Sequence, residues 1–177
     1  MPNLFVIAGP NGAGKSTVAP KLLTENRRVE AFVNADEIKA DMGGKAGPSA
    51  DILAGRMMLE RVDQLVNLGR DLAFETTLAS RSLLRRVSAT REIGYLFHLI
   101  YLWLPTPEMA VERVAARVRA GGHSIPETVV RRRYGRSLSN FSISIGQLRI
   151  PGSCSTIQER PNRCRLLGVT SAGRSKS

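Results

Sequence analysis

The sequence is poor in cysteine, in aromatics, in histidine and in acid, and it has no long apolar run. Its two cysteines, Cys154 and Cys164, fall in the last quarter. They form no metal-binding spacing and no disulfide framework. No apolar stretch reaches the roughly 18 residues that a membrane-spanning helix needs. Aromatics are 5% of the chain, too few among the basic segments to form stacking platforms for single-stranded nucleic acid. Acidic residues number 15 against 26 lysines and arginines, a net charge of +11. Such a charge suits nucleic acid, but it equally suits a protein that handles phosphate groups. The arginines gather in helical segments around 113–136, which favours the second.

What is present is the composition of one soluble domain. The chain has 177 residues, 42% apolar and 23% charged. The opening segment has no basic region before its apolar stretch, so it reads as a buried strand and not a secretion signal. A cytoplasmic location follows as the default.

Residues 4–8 (LFVIA) form an apolar run suited to a strand buried on both faces. The spacing predicts a helix from Lys15 to about Asn26 and a strand over 31–34. A break follows at 43–48, then a helix from about Ser49 to Leu68. That helix carries Ile52, Met58, Leu59, Val62, Leu65 and Val66 on one side. Further strands are expected at 72–76 and 96–104, with a basic helix over 80–92 between them. Thr106-Pro107 reads as a cap and first position of the next helix, which ends at Gly121-Gly122. Pro126 opens another. This alternation implies a three-layer α/β fold with a parallel sheet.

Between the first strand and helix lies Gly-Pro-Asn-Gly-Ala-Gly-Lys-Ser-Thr, residues 9–17. It fits the phosphate-loop pattern G-x-x-x-x-G-K-[ST]. Gly9, Asn11, Gly12, Ala13, Gly14 and Thr17 belong to the loop that folds around nucleotide phosphates. Lys15 meets the β- and γ-phosphates, and the Ser16 hydroxyl is the expected Mg²⁺ ligand. ATP and Mg²⁺ are therefore the expected cofactors. The Asn-Lys-x-Asp guanine reader of a GTPase is absent, and the strand at 96–104 ends without an acidic residue.

Carboxylates must come from elsewhere. Asp36 follows the second strand at the sheet edge beside the phosphate loop. It is a candidate base for an attacking hydroxyl, or simply the cap of the following helix. Glu75 and Thr77 close the third strand at the same edge, as candidate substrate contacts or as a helix start capped by Thr77 or Ser80. Arg113, Arg117, Arg119 and Arg131, Arg132 and Arg133 lie on two helices with a glycine-rich joint, which suits a lid. A solvated basic face is the plainer alternative. His98 reads as a core residue and His123 as part of the lid.

Four segments, GPNGAGKST at 9–17, FVNADEI at 32–38, FETTL at 74–78 and RVRAGGHSIPETVVRRRYGRSLSNF at 117–141, resemble the zeta-toxin family of P-loop kinases. The resemblance implies a P-loop kinase domain over residues 1–141, with a lid at about 107–140. It implies transfer of the ATP γ-phosphate to a hydroxyl of a small molecule, such as a UDP-N-acetyl sugar. It places the base on Asp36, substrate contacts on Asp36, Glu75 and Thr77, and catalytic cations on Lys15, Arg117 and Arg132. Toxin members are held by a small helical antitoxin. A kinase for another acceptor, such as a nucleic-acid end, and an ATP-binding remnant without catalysis are the alternatives.

The resemblance stops at Phe141. Residues 142–177 hold seven serines and six basic residues but one acid, Glu159. They read as a disordered basic tail, of the kind a frameshift would produce. The expectation is that the last strand of the sheet is missing and that residues beyond about 145 stay unpaired with it.

Overall fold

The computed structural model describes residues 1–25, 29–43, 47–147, 155–157 and 165–171. Its elements run β1 (Asn3–Ala8), α1 (Lys15–Glu25), β2 (Ala31–Val33), α2 (Ala35–Asp41), α3 (Pro48–Asn67), β3 (Leu72–Thr76) and α4 (Arg81–Glu92). Then come β4 (Leu96–Trp103), α5 (Pro107–Arg119), α6 (Glu127–Gln147), β5 (Ser155–Ile157) and β6 (Arg165–Ser171). The strand order is β2-β3-β1-β4-β6-β5. The first four strands are parallel, as a chain of strand–helix units requires. This is the expected three-layer α/β arrangement.

Every residue of β1 is buried, because helices cover both faces of the sheet. Side chains alternate between the faces. Leu4, Val6 and Ala8 join one core cluster with Met58, Val62 and Leu65 of α3 and Leu83 and Val87 of α4. Ile7 joins a second with Ala19 of α1, Ala110 and Val114 of α5, and Val130 and Tyr134 of α6. Ile52 departs from the expected stripe and is exposed. At 3.6 residues per turn it lies ~120° around the helix from Met58. Ala54 is buried in that turn instead.

Helix ends follow local chemistry. The Thr106 hydroxyl accepts from Met109 N at 3.2 Å and Pro107 takes the first position of α5. Ser80 caps α4 by accepting from Ser82 N. The cap of α2 is Asn34, whose Oδ1 accepts from Asp36 N at 2.9 Å. The capping role considered for Asp36 is therefore taken by the residue two before it, and the Asp36 carboxylate is exposed in the first turn.

The C-terminal segment corrects one expectation. β6 pairs antiparallel with β4 from Phe97↔Ser171 to Trp103↔Arg165, and β5 pairs antiparallel with β6. The parallel sheet stops at four strands, but part of the segment beyond 145 is joined to it. Residues 165–171 (RLLGVTS) are apolar enough to cover the β4 edge, which composition averaged over the whole segment conceals. Residues 142–147 continue α6 as helix, against the expected start of the tail, and the rest of the basic tail lies outside the described residues.

Candidate nucleotide and acceptor site

β1 ends where the glycine loop begins, and the loop is shaped by close approach. Gly9 has φ +148, and a Cβ there would stand 2.3 Å from Leu102 O. Gly12 has φ +77, and its Cβ would meet Ala110 O at 2.9 Å. Only glycine fits both positions. Ala13 points into the core, and its N–H donates to Pro10 O at 3.2 Å. Gly9 and Ala13 thus build the loop without lining the cleft. Asn11, Gly12, Gly14, Lys15, Ser16 and Thr17 line it.

The cleft holds about 480 Å³ and continues from the loop to α2, α3 and the α5–α6 joint. The Lys15 ammonium donates to Pro10 O at 3.1 Å and stands 4.0 Å from Glu75 Oε1. The Ser16 hydroxyl donates to the Glu75 carboxylate at 3.1–3.2 Å. The sheet order explains this. β3 lies directly beside β1, with Glu75 level with Ile7 and Thr76 with Ala8. Glu75 therefore stands beside the glycine loop and in the same cleft as Asp36 and Thr77.

Burial lowers the Lys15 pKa, opposed by the carboxylates of Glu75 and Asp36 and reinforced by Arg117 and Arg133. Burial raises the Glu75 pKa, opposed by Lys15 and by the Ser16 hydrogen bond. A buried cation, two carboxylates and two arginines of α5 and α6 thus feel one another across a single cleft. The pair Ser16 and Glu75 offers adjacent hard oxygens, a donor set that fits Mg²⁺ completed by water and phosphate oxygens. Asn11 Oδ1 is a buried acceptor with no hydrogen-bond partner among the described residues, available to a donor on a bound molecule.

Asp36, Thr77, Arg113 and Arg117 line the cleft. Arg132 does not. It is exposed outside the cleft, and Arg133 lines it instead. Val130, Tyr134 and Ser137 are buried and fix the inward face of α6. On an α-helix Arg133 lies ~60° from Val130 and Arg132 ~160° from it. Arg131 is engaged by Glu108 at 2.5 Å and Glu127 at 2.7 Å. Arg119 is exposed and lines no part of the cleft. His98, read as a core residue, is only half-buried, stacked on Phe5 with centroids 4.3 Å apart and bonded to Asn3 Oδ1 at 3.0 Å.

Two features had no counterpart in the sequence reading. Leu78, just after the Glu75–Thr77 segment, has φ 55. Its N–H donates to Thr76 Oγ1 at 3.1 Å, and its carbonyl accepts from Asn140 Nδ2 at 2.8 Å. This strained turn fixes the end of β3, and α6 holds it in place. The second is Lys39, buried at 9% exposure, whose ammonium meets Asp51 and His123. The three-residue spacing from Asp36 is the sequence signal that puts Lys39 on the same helix face.

Over residues 4–141 the chain matches the family described as AAA domain. A Haemophilus influenzae protein described as "Uncharacterized protein" is 31% identical over 126 residues, 71% of this chain and 88% of that protein. A cytidylate kinase of Saccharolobus islandicus is 27% identical over 136 residues, 74% of this chain and 68% of the kinase. Among solved structures, a chain of the PezAT chromosomal toxin-antitoxin system of Streptococcus pneumoniae aligns with a TM-score of 0.67 at 19% identity. The alignment covers 93% of this chain and 70% of that one. At that identity the likeness is one of fold, a P-loop kinase fold. Among the described residues no helix is long and apolar enough to cross a membrane.

Proposed function

This chain belongs to the AAA-domain family of P-loop proteins, and from that premise we propose that it is an ATP-dependent small-molecule kinase. The observation that carries the proposal is the joining of Lys15, Ser16, Glu75, Asp36, Arg117 and Arg133 in one cleft. Lys15 and the loop N–H groups hold the β- and γ-phosphates. Ser16, with Glu75 beside it, would hold Mg²⁺, which neutralises phosphate charge when bound. Asp36 takes the proton of the acceptor hydroxyl as its oxygen bonds to the γ-phosphorus and the bond to the bridging oxygen of ADP breaks. Arg117 and Arg133 meet the transferring phosphoryl group when the lid closes.

The acceptor class follows the resemblance to zeta toxins, with the hydroxyl of a UDP-N-acetyl sugar as the specific candidate and Thr77 as a further contact. The fold shared with the PezAT chain and the similarity to a cytidylate kinase both support a kinase. The cytoplasm, which holds the ATP, is the proposed location.

The test compares ATP binding and ATP turnover in wild type and Lys15→Ala. The mutant is expected to lose turnover and bind ATP more weakly. Unchanged turnover in the mutant overturns the assignment. Wild-type protein that binds ATP but never turns it over is a nucleotide-binding remnant.

A further inference from the structure

Asp36 and Lys39 stand three residues apart on α2 and line the same cleft. The Lys39 ammonium donates to Asp51 Oδ1 at 2.5 Å, in the first turn of α3. It also meets His123 Nε2 at 3.0 Å, in the α5–α6 joint. Against an ammonium, Nε2 acts as the acceptor. The His123 carbonyl in turn accepts from Arg117 Nη2 at 3.1 Å, so this lysine is tied through His123 to an arginine that lines the cleft.

We propose that Lys39 and Asp51 form the subsite for the oxygen neighbouring the hydroxyl to be phosphorylated, so that the acceptor presents adjacent hydroxyls, not a phosphate, to Asp36. The inference rests on the kinase reading above and narrows its acceptor. An ammonium has three N–H donors, and Asp51 and His123 account for two. Among the described residues the third meets no partner, which leaves it available to an acceptor oxygen. The Asp51 side chain is 38% exposed, and its second oxygen can accept an O–H. One donor and one acceptor side by side match a hydroxyl, which both donates and accepts. An ionised phosphate only accepts. It would bring its negative charge against Asp36 and Asp51, and the charge of Lys39 is already balanced by Asp51. Ala54 and Gly55 of α3, small residues lining the same wall, leave room for a ring or chain of carbons.

A strut joining α2 to α3 would show the same ion pair, so the test must separate acceptor binding from folding. The full chain is given Mg²⁺ and γ-labelled ATP with two sets of probes. One set is glucose, ribitol and UDP-N-acetylglucosamine; the other is CMP and AMP. Wild type is expected to label a hydroxyl probe. Lys39→Met should raise the acceptor KM by about 10- to 100-fold, the value of a hydrogen bond to a charged group. The KM for ATP should stay within about twofold. Lys39→Arg, which keeps the charge but redirects the donors, should also raise the acceptor KM selectively. Label carried on the phosphate of CMP or AMP, as a nucleoside diphosphate, in place of a hydroxyl ester overturns the inference. So does an unchanged acceptor KM in Lys39→Met, or a parallel rise of both KM values with a lowered melting temperature. No labelled probe, with ATP still bound and hydrolysed, overturns this inference alone. Wild-type protein that does not bind ATP overturns the kinase reading itself.

Discussion

Glu75 keeps only 9% of its side-chain surface between a lysine ammonium and a serine hydroxyl. Its pKa is raised by burial, so the site loses its carboxylate as pH falls through a range above the usual glutamate value. Mg·ATP affinity is expected to drop along that acid limb, and Glu75→Gln should be weaker throughout but flat across it. The Lys15 pKa is lowered by burial and partly restored by Glu75. Affinity should therefore fall again as pH rises through the lowered lysine value, and the Gln variant should show that alkaline limb at lower pH. Titrations of nucleotide binding against pH check both; an identical acid limb in the Gln variant would rule this role out. Asp36 has a cleaner test. Asn34 caps α2, so Asp36→Asn leaves the cap intact. Turnover should fall ~10²–10⁴-fold with ATP binding kept. A wild-type rate would remove Asp36 from the chemistry.

At the scale of elements, the proposed lid is α5, its glycine joint and α6. Gly122 packs under Arg117 so closely that a Cβ would meet Arg117 Cγ at 2.6 Å, and Arg117 in turn holds the His123 carbonyl. Arg133→Ala is expected to lower turnover by ~10²-fold or more, as loss of a transition-state donor does. Arg132→Ala should stay within about twofold. Equal small effects in a steady-state assay would mean that α6 presents only a solvated basic face. This pair shows what the sequence discloses. Apolar runs marked β1 and β4, and Thr106-Pro107 marked the start of α5. One residue of register turns a helical side chain by ~100°, and motif matching across the Arg131–Arg133 run did not resolve that turn. The buried Val130 and Tyr134 resolve it. The link between Lys39 and His123 crosses 84 positions, and no local pattern announces a contact of that span. The sequence marks Glu75 as a candidate, but its bond to Ser16 depends on β3 lying beside β1, which is a property of the sheet order.

At the scale of the molecule, the parallel order β2-β3-β1-β4 gathers the ends of β1, β2 and β3 at one edge, where ligands bind in open α/β sheets. The α6 helix completes that edge. The Tyr134 hydroxyl donates to Leu104 O at 2.8 Å, and Phe141 stacks on Tyr101 with centroids 4.1 Å apart. The match to the family and the resemblance to zeta toxins both end at that phenylalanine. Beyond it the antiparallel β6 lies along β4, on the far side from β1 and the glycine loop. The residues of the proposed kinase site thus all lie within residues 4–141. The central claim is that the γ-phosphate of ATP leaves on an organic hydroxyl. The direct measurement gives the full chain Mg²⁺, γ-labelled ATP and a metabolite extract, then separates the products and identifies them by mass spectrometry. The account predicts label in a new phosphate monoester, with ADP formed in equal amount. Label found only in inorganic phosphate, or retained entirely in ATP, would contradict it.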